Sequence, residues 1–356
     1  MVSGSRSGLG LTAASAESIC AFESYFCDFV RAQAVVDPVA HHILYHFGLC
    51  EEPNRRTGKR LRPRMTLAAA TAYGCDERKA FPACAAIELL HNYSLIHDDI
   101  EDSDMLRHGR ETLWSTFGIA HGVNAGDAVG ALAQLALKAS RETAQPEAAF
   151  AMLMDLAQAN LDMCQGQAMD LALEAGAPAG TETYIEMIGL KTAALFGCAA
   201  ALGARCADAS SQEVERCRQI GCSFGLAFQI FDDVAGIWGS TDRTGKAAAG
   251  DLARKKKTFP IVWAAQNDPD TAARVIGQTY STSGPLDAPA VARVQSVLEA
   301  CGSRAAAQQA ADNYLDAALQ TAAGLEPLRQ FLSEWRADAF ASPTEESARE
   351  PSENLI

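Results

Sequence analysis

Apolar residues recur at intervals of three and four along most of the chain, and runs alternating apolar with polar positions are almost absent. Spacing of that kind lines up apolar side chains on one face of a helix. Short breaks such as EEPNRRTG and STDRTGKAAAG interrupt the pattern. It predicts helices near 17–35, 38–48, 60–73, 78–103, 112–119, 124–141, 147–175, 181–203, 211–237, 258–266 and 304–334, an all-α protein. No fixed-period repeat and no long polar linker falls between Glu17 and Ala337, so residues 17–337 are expected to form one domain. The ends, 1–16 and 338–356, are rich in Ser, Gly, Pro or Glu without periodicity and are expected to be flexible tails.

Composition sharpens this picture. The 356 residues are 48% hydrophobic, 7% aromatic and 21% charged, which suits helices and a full core. The formal net charge of −14 opposes binding to nucleic acid or anionic membranes, both of which need clustered Lys and Arg. Eleven cysteines without CxxC pairs, and no secretory h-region, point to a reducing, cytoplasmic setting and to free thiols, mostly in the core. The most apolar segment, Ala193 to Ala204, is about twelve residues against the roughly twenty needed to span a bilayer, so no membrane insertion is expected.

Two segments stand out chemically. SLIHDDIEDSDMLRHGR carries five acids within seven positions, and FQIFDDVAG again ends an apolar run in adjacent aspartates. Asp98 and Asp102, four apart, share a helix face, with Glu101 beside them. Anions repel one another there and sit poorly at a helix C-terminus, where the dipole is already negative. A divalent cation removes both objections, and oxygen ligands at this spacing suit Mg²⁺, which keeps water and phosphate oxygens as its other ligands. Asp232 and Asp233 would form the opposing wall if the two helices face each other across a bundle cavity. A solvated helix end explains either pair equally well when taken singly. The basic clusters shift the balance: Lys59, Arg60 and Arg62 in GKRLRP, Arg107 and Arg110, Lys191 with Thr192, and Lys255, Lys256 and Lys257. In an acidic chain, these clusters with two aspartate pairs suggest diphosphate held between metal and cationic side chains.

The ordered set GKRLRP, LLHNYSLIHDDIED, RHGRETLW, NAGDA, GQAMDL, LKTAALF, FQIFDDVAGIWG and GKAAAGDLARKKKTFP resembles the trans-isoprenyl diphosphate synthases, the polyprenyl synthetase family, over roughly Glu17 to Ala337. The resemblance implies the isoprenoid synthase fold, a helical bundle around a central cavity. It implies that Asp98, Asp99 and Asp102, with Asp232 and Asp233, bind three Mg²⁺ ions around an allylic diphosphate, with Asp98, Asp102 and Asp232 as metal ligands. Ionisation of that substrate and attack by isopentenyl diphosphate would give a head-to-tail product. The same resemblance assigns Arg107, Lys191, Thr192, Gln229, Lys246 and Lys256 to the allylic diphosphate or its metals, and Lys59, Arg62 and His91 to isopentenyl diphosphate. It also implies a homodimer built through helices near the middle of the chain.

This sequence departs from the family pattern at two places. Arg107 is followed by His108 where a second arginine is common, and a neutral imidazole holds diphosphate less firmly. The second motif ends in Gly236 where an aspartate is usual. Tyr93 lies five residues before Asp98 and is expected in the cavity floor, where an aromatic ring blocks long chains; small Ser94 leaves some room. That combination resembles synthases of the twenty-carbon product, geranylgeranyl diphosphate, made from dimethylallyl, geranyl or farnesyl diphosphate. The alternatives are a terpene cyclase derived from the same family, which His108 favours and intact Lys59, Arg62 and His91 oppose, and a non-catalytic regulatory subunit, which the intact first motif opposes.

Overall fold

A computed structural model of the chain describes residues 16–50, 58–107, 109–142, 145–176, 180–239 and 249–340. His108 and Lys246 lie outside the described residues. The described residues are helical, apart from one two-stranded ribbon and the connecting turns.

The long helix α4 (Glu77–Glu101) is central: from Ala80 to Leu90 every residue is buried, as expected for a helix apolar all round. Asp76 caps its start, the carboxylate accepting from Arg78 N at 3.0 Å. Around it stand α1 (Ala16–Gln33), α2 (Val39–His46), α3 (Leu61–Ala72), α6 (Ile119–Ala136) and α7 (Pro146–Glu174), with the short α5 (Leu113–Phe117) between α4 and α6. Their apolar faces share a core with α9 (Ala194–Cys206), itself buried along nearly its whole length. A second core joins α3 and α9 to α10 (Ser211–Trp238), α15 (Ser303–Thr321) and α16 (Glu326–Phe340). The helices α8 (Thr181–Ile188), α11 (Gly250–Ala253), α12 (Phe259–Asn267), α13 (Ala272–Tyr280) and α14 (Ala288–Ala300) pack about the C-terminal half of α10. Each fully buried Leu, Ile or Phe in these cores contributes about 1.5–3 kcal/mol, which outweighs the poor amphipathicity of α3 and α4.

Several expectations are corrected. The stretch 304–334 is two helices, because the chain turns at Gly324 with φ +82°, a conformation that favours glycine. Helices α13 and α14 were not expected; each buries only a narrow apolar stripe, which polar neighbours mask in the sequence. The stretch 181–203 is interrupted by a π-turn at Gly189–Ala193. Among the described residues the first helix begins at Ala16 and the last ends at Phe340.

Two continuous helical stretches, Thr181–Cys206 and Ser211–Trp238, are by length and composition apolar enough to cross a membrane, contrary to the shorter run read from the sequence. Their most apolar windows are 78% and 56% buried inside the fold, so that apolarity is used in packing. The eleven cysteines are free, but only Cys84, Cys198, Cys206 and Cys217 are fully buried, fewer than expected.

Candidate active site

The C-terminal end of α4 delivers its acids to different places. Asp98 lines a cavity of about 440 Å³ together with Arg62, His91, Lys191, Thr192 and Gln229. Asp99, one position on and about 100° round the helix, lines a second cavity of about 140 Å³ with Arg60, His91, Arg107 and Arg110. His91 and Leu95 belong to both linings, so this face of α4 is the wall between them.

Burial dominates the electrostatics of this wall. It pushes the Asp98 carboxyl up to about 6, against the pull of Lys191 and with the help of Asp102. It raises Asp99 likewise to about 6, although Arg107 holds Asp99 Oδ1 at 2.7 Å. The His91 imidazole is driven well below its ordinary range by burial and then by Arg62, Arg107 and Arg60. A carboxyl and an imidazole so placed are short of the counter-charges that a metal and an anion would supply.

The arginines reach the smaller cavity by a tight hairpin. Strands β1 (Leu106–Arg107) and β2 (Arg110–Glu111) pair antiparallel with Arg107 opposite Arg110. Two cations directly across a ribbon are destabilising, so the pairing serves something other than the ribbon. Arg110 lies 4.8 Å over the Tyr45 ring and donates to the Tyr45 carbonyl at 3.1 Å. Arg60, in a left-handed conformation at the start of α3, is locked by Glu23 and Glu88. Arg62 stacks 4.3 Å over Phe196, and its buried Nε has no hydrogen-bond partner. Lys59 is exposed and is among the lining residues of neither cavity.

The opposite wall comes from α7, the π-turn and α10. In the π-turn Lys191 donates to Asp170 Oδ2 at 2.6 Å and bears electrostatically on Asp98 and Asp102. Thr192 donates to Gln229 Oε1 at 2.9 Å, and Gln229 Nε2 donates to Asp233 Oδ1 at 3.2 Å. The turn fits only because glycines flank it: a Cβ at Gly166 of α7 would lie 2.2 Å from Lys191 N, and one at Gly225 of α10 would lie 2.5 Å from Ala193 Cα. Such π-turns recur at functional sites.

The second acidic pair divides its work. Asp232 is half-buried. Asp233 is buried among α8, α10 and α12, where it accepts from Tyr184 Oη and from Phe259 N at 2.8 Å. Burial pushes Asp233 up to about 7 against those three donors, Gln229 included. Asp233 therefore anchors the start of α12 instead of facing the cavity, a placement that the adjacent aspartates could not distinguish.

The two acidic ends meet through the segment after α11. Lys256 Nζ is 3.5 Å from Asp102 Oδ2, and Arg254 lies 3.1 Å from Asp104 Oδ1 and 3.4 Å from Asp251 Oδ1. Tyr93 and Ser94 both line the larger cavity. Arg107, expected beside the allylic diphosphate, lines the smaller cavity, and Arg62 lines the larger. The sequence reading named Arg60 and Arg110 among the basic clusters without giving either a substrate, and it passed over Tyr184 and Gln167, although Gln167 falls within GQAMDL.

Over residues 48–298 the sequence matches the family described as polyprenyl synthetase. The chain belongs to that family. Geranylgeranyl diphosphate synthase of Mycobacterium tuberculosis (strain ATCC 25618 / H37Rv) is 36% identical to this polyprenyl synthetase over 305 residues, 81% of this chain and 86% of the other. A (2E,6E)-farnesyl diphosphate synthase of Mycobacterium bovis is 34% identical over 268 residues, 74% of each chain. A crystal structure of polyprenyl synthetase from Streptomyces coelicolor A3(2) superposes with a TM-score of 0.83 at 27% identity, covering 91% of this chain and 99% of that one. The chain is thus a trans-prenyltransferase with a short-chain product, built on the all-α isoprenoid synthase fold.

Proposed function

We propose that this polyprenyl synthetase is a Mg²⁺-dependent geranylgeranyl diphosphate synthase, extending dimethylallyl, geranyl or farnesyl diphosphate with isopentenyl diphosphate. The observation that carries the reading is one cavity of about 440 Å³ whose lining includes both Asp98, Lys191 and Gln229 and Tyr93, Leu95, Leu195 and Phe228. An anionic head and an apolar tail both find their surroundings there.

The residues fit the metal. Two buried atoms on this lining, Arg62 Nε and Gln167 Oε1, have no hydrogen-bond partner, one a donor suited to a phosphate oxygen and the other an acceptor suited to metal-bound water. Among the described residues no three His, Cys, Asp or Glu side chains are grouped to hold an ion alone. Mg²⁺ takes few carboxylates, and water and phosphate oxygens would complete its octahedron. Asp98, Asp102 and Asp232 would hold Mg²⁺, in the three-ion arrangement of the family, and the metal would neutralise the departing diphosphate.

The chain's own residues do the rest. Lys191, Thr192, Gln229 and Lys256, with Lys246 from outside the described residues, hold the allylic diphosphate, while Leu195, Phe228 and the methylenes around them keep water from the allylic carbon. Arg62 and His91, with the exposed Lys59 and with His108 from outside the described residues, hold isopentenyl diphosphate; Arg107 and Arg110 share the lining of the smaller cavity with His91 and join them. The wall formed by His91 and Leu95 keeps the two anions apart yet adjacent. Tyr93, on the same lining, is the residue that would limit the tail, to twenty carbons in this reading.

A homodimer is part of the proposal. Ile119, Val123 and Leu135 of α6, and Phe150, Met154 and Leu161 of α7, are exposed, an apolar surface suited to a second copy. Cytoplasmic residence is supported by the free cysteines and by the burial of the two most apolar helices. Incubation with isopentenyl diphosphate, each allylic primer and Mg²⁺, followed by identification of the chain formed, tests the reading. Geranylgeranyl diphosphate is expected; a cyclic hydrocarbon or no elongation contradicts it.

A further inference from the structure

Arg60, Arg107 and Arg110 all line the smaller cavity, and they are not alike. Arg60 is clasped by Glu23 and Glu88, and Arg107 by Asp99 Oδ1 at 2.7 Å. Arg110 has no carboxylate partner among the described residues, although Glu111 beside it is on the same lining. Its guanidinium lies 4.8 Å over the Tyr45 ring and gives an N–H from Nη2 to the Tyr45 carbonyl at 3.1 Å. A guanidinium is a planar fork of donors, so most of this fork, and its charge, remain for an anion. Tyr45 is itself fixed. Its Oη donates to the Glu111 carbonyl at 3.0 Å and lies 3.2 Å from Thr116 Oγ1, and its ring meets Phe117 edge-on at 5.1 Å. The ring on α2 is thus tied to the chain just beyond Arg110, and its π face holds the cation without neutralising it.

We propose that Arg110 is the arginine of the smaller cavity that takes the diphosphate of isopentenyl diphosphate directly, and that Tyr45 is its positioning residue. The inference rests on, and deepens, the reading of this cavity as the isopentenyl diphosphate site. An incoming anion finds Arg60 and Arg107 already paired with carboxylates and has to share them. Arg110 adds a forked contact without giving up an ion pair. The ribbon also gains a use, since it sets Arg107 opposite Arg110, and an anion in the cavity that both line offsets the cost of those facing charges. A purely structural Arg110 would only pin the hairpin to α2, and its loss would then disturb both substrates and the fold alike.

The test is steady-state kinetics of the full chain, with isopentenyl diphosphate and the allylic primer varied in turn, beside thermal unfolding of every variant. Arg110→Gln is expected to raise KM for isopentenyl diphosphate by about tenfold or more, with smaller changes in KM for the primer and in kcat. Arg110→Lys, which keeps the charge and loses the fork, should fall between. Tyr45→Leu is expected to raise the same KM by about threefold or more, and Tyr45→Phe by less, because the ring survives. Added to Arg110→Gln, Tyr45→Leu should change little further, since a positioning residue has nothing left to position. KM for isopentenyl diphosphate within about twofold of the unaltered chain in Arg110→Gln, or an equal rise in both KM values, overturns the proposal. Effects of Tyr45→Leu and Arg110→Gln that multiply in the double variant overturn the role of Tyr45. Should Arg110→Gln fail to fold, Arg110→Lys decides, and an unchanged KM there overturns the proposal. His91→Ala separates the two levels: if it raises KM for isopentenyl diphosphate and Arg110→Gln does not, only this inference fails, whereas no rise in either removes the reading of the cavity beneath it.

Discussion

Asp98 and Asp99 are consecutive in the chain yet open on different cavities, Asp98 beside the Lys191 wall and Asp99 bound at 2.7 Å to Arg107. A single residue step, about 100° of helix rotation, thus separates a residue suited to metal from a residue that positions an arginine. Asp98→Ala is expected to lower kcat by about two to four orders of magnitude with no loss of Tm, because it removes a ligand and relieves repulsion. Asp99→Ala is expected chiefly to raise KM for isopentenyl diphosphate and to cost about 1–3 kcal/mol, because Arg107 loses its partner. Steady-state kinetics and thermal unfolding of the two variants check the division; identical effects in both would contradict it.

Product length should respond to Tyr93 and also to the helix behind it. The Tyr93 ring lies 4.7 Å from the His97 ring and against α6, where a Cβ at Gly130 would come within 3.1 Å of Tyr93 Cδ2. Tyr93→Ala is expected to lengthen the chains made. Gly130→Ala is expected to press the ring into the cavity and shorten them. Chromatography of the dephosphorylated products reads both, and an unchanged distribution in both variants would remove Tyr93 from the floor.

Gly166→Ala tests the π-turn. Its methyl group would meet Lys191 backbone within 2.2 Å, and backbone cannot swing aside as a side-chain tip can. The expected cost is about 1–3 kcal/mol, with a fall in activity larger than thermal destabilisation explains, because Lys191 and Thr192 move with the turn. Activity measured well below Tm distinguishes the two effects.

His46 gives a pH prediction for stability. Burial lowers its imidazole from 6.5 to about 4, with Arg107 and Arg110 adding to the shift and the 2.9 Å contact with Asn92 opposing it. The folded value lies below the unfolded one, so the contribution of neutral His46 is complete above pH 6.5 and is lost as pH falls toward 4. Partial exposure limits the loss to about 1–2 kcal/mol. His46→Gln, which carries no charge at any pH, should unfold with a shallower acid limb over that window; parallel limbs would show that the imidazole takes up its proton at the same pH in the folded and the unfolded chain.

Much of this architecture was legible in the sequence. Long apolar stretches with three- and four-residue spacing marked α4, α7 and α10, and the adjacent acids of α4 and α10 singled out the residues proposed to hold metal, because a helix rarely tolerates such charge near its C-terminus without compensation. The division of labour within each acidic pair was not legible. It depends on helix rotation: about 100° separates Asp98 from Asp99, and Asp232 from Asp233, and only packed neighbours such as Arg107 and Tyr184 fix which way each points. The π-turn was hidden for the same reason, since it is set by the approach of Gly166 and Gly225 from other helices. Lys59 shows the converse, a residue whose motif suggested contact and whose side chain lies at the surface.

The central claim is that the acids ending α4 and α10 act together, through magnesium, on one diphosphate. A crystal structure of the full chain with Mg²⁺ and an unreactive thio-analogue of an allylic diphosphate tests it most directly. The account predicts metal ions ligated by Asp98, Asp102 and Asp232, with the diphosphate against Lys191 and Lys256 and the tail directed toward Tyr93. Diphosphate bound elsewhere, or metal held by one acidic end alone, would contradict it.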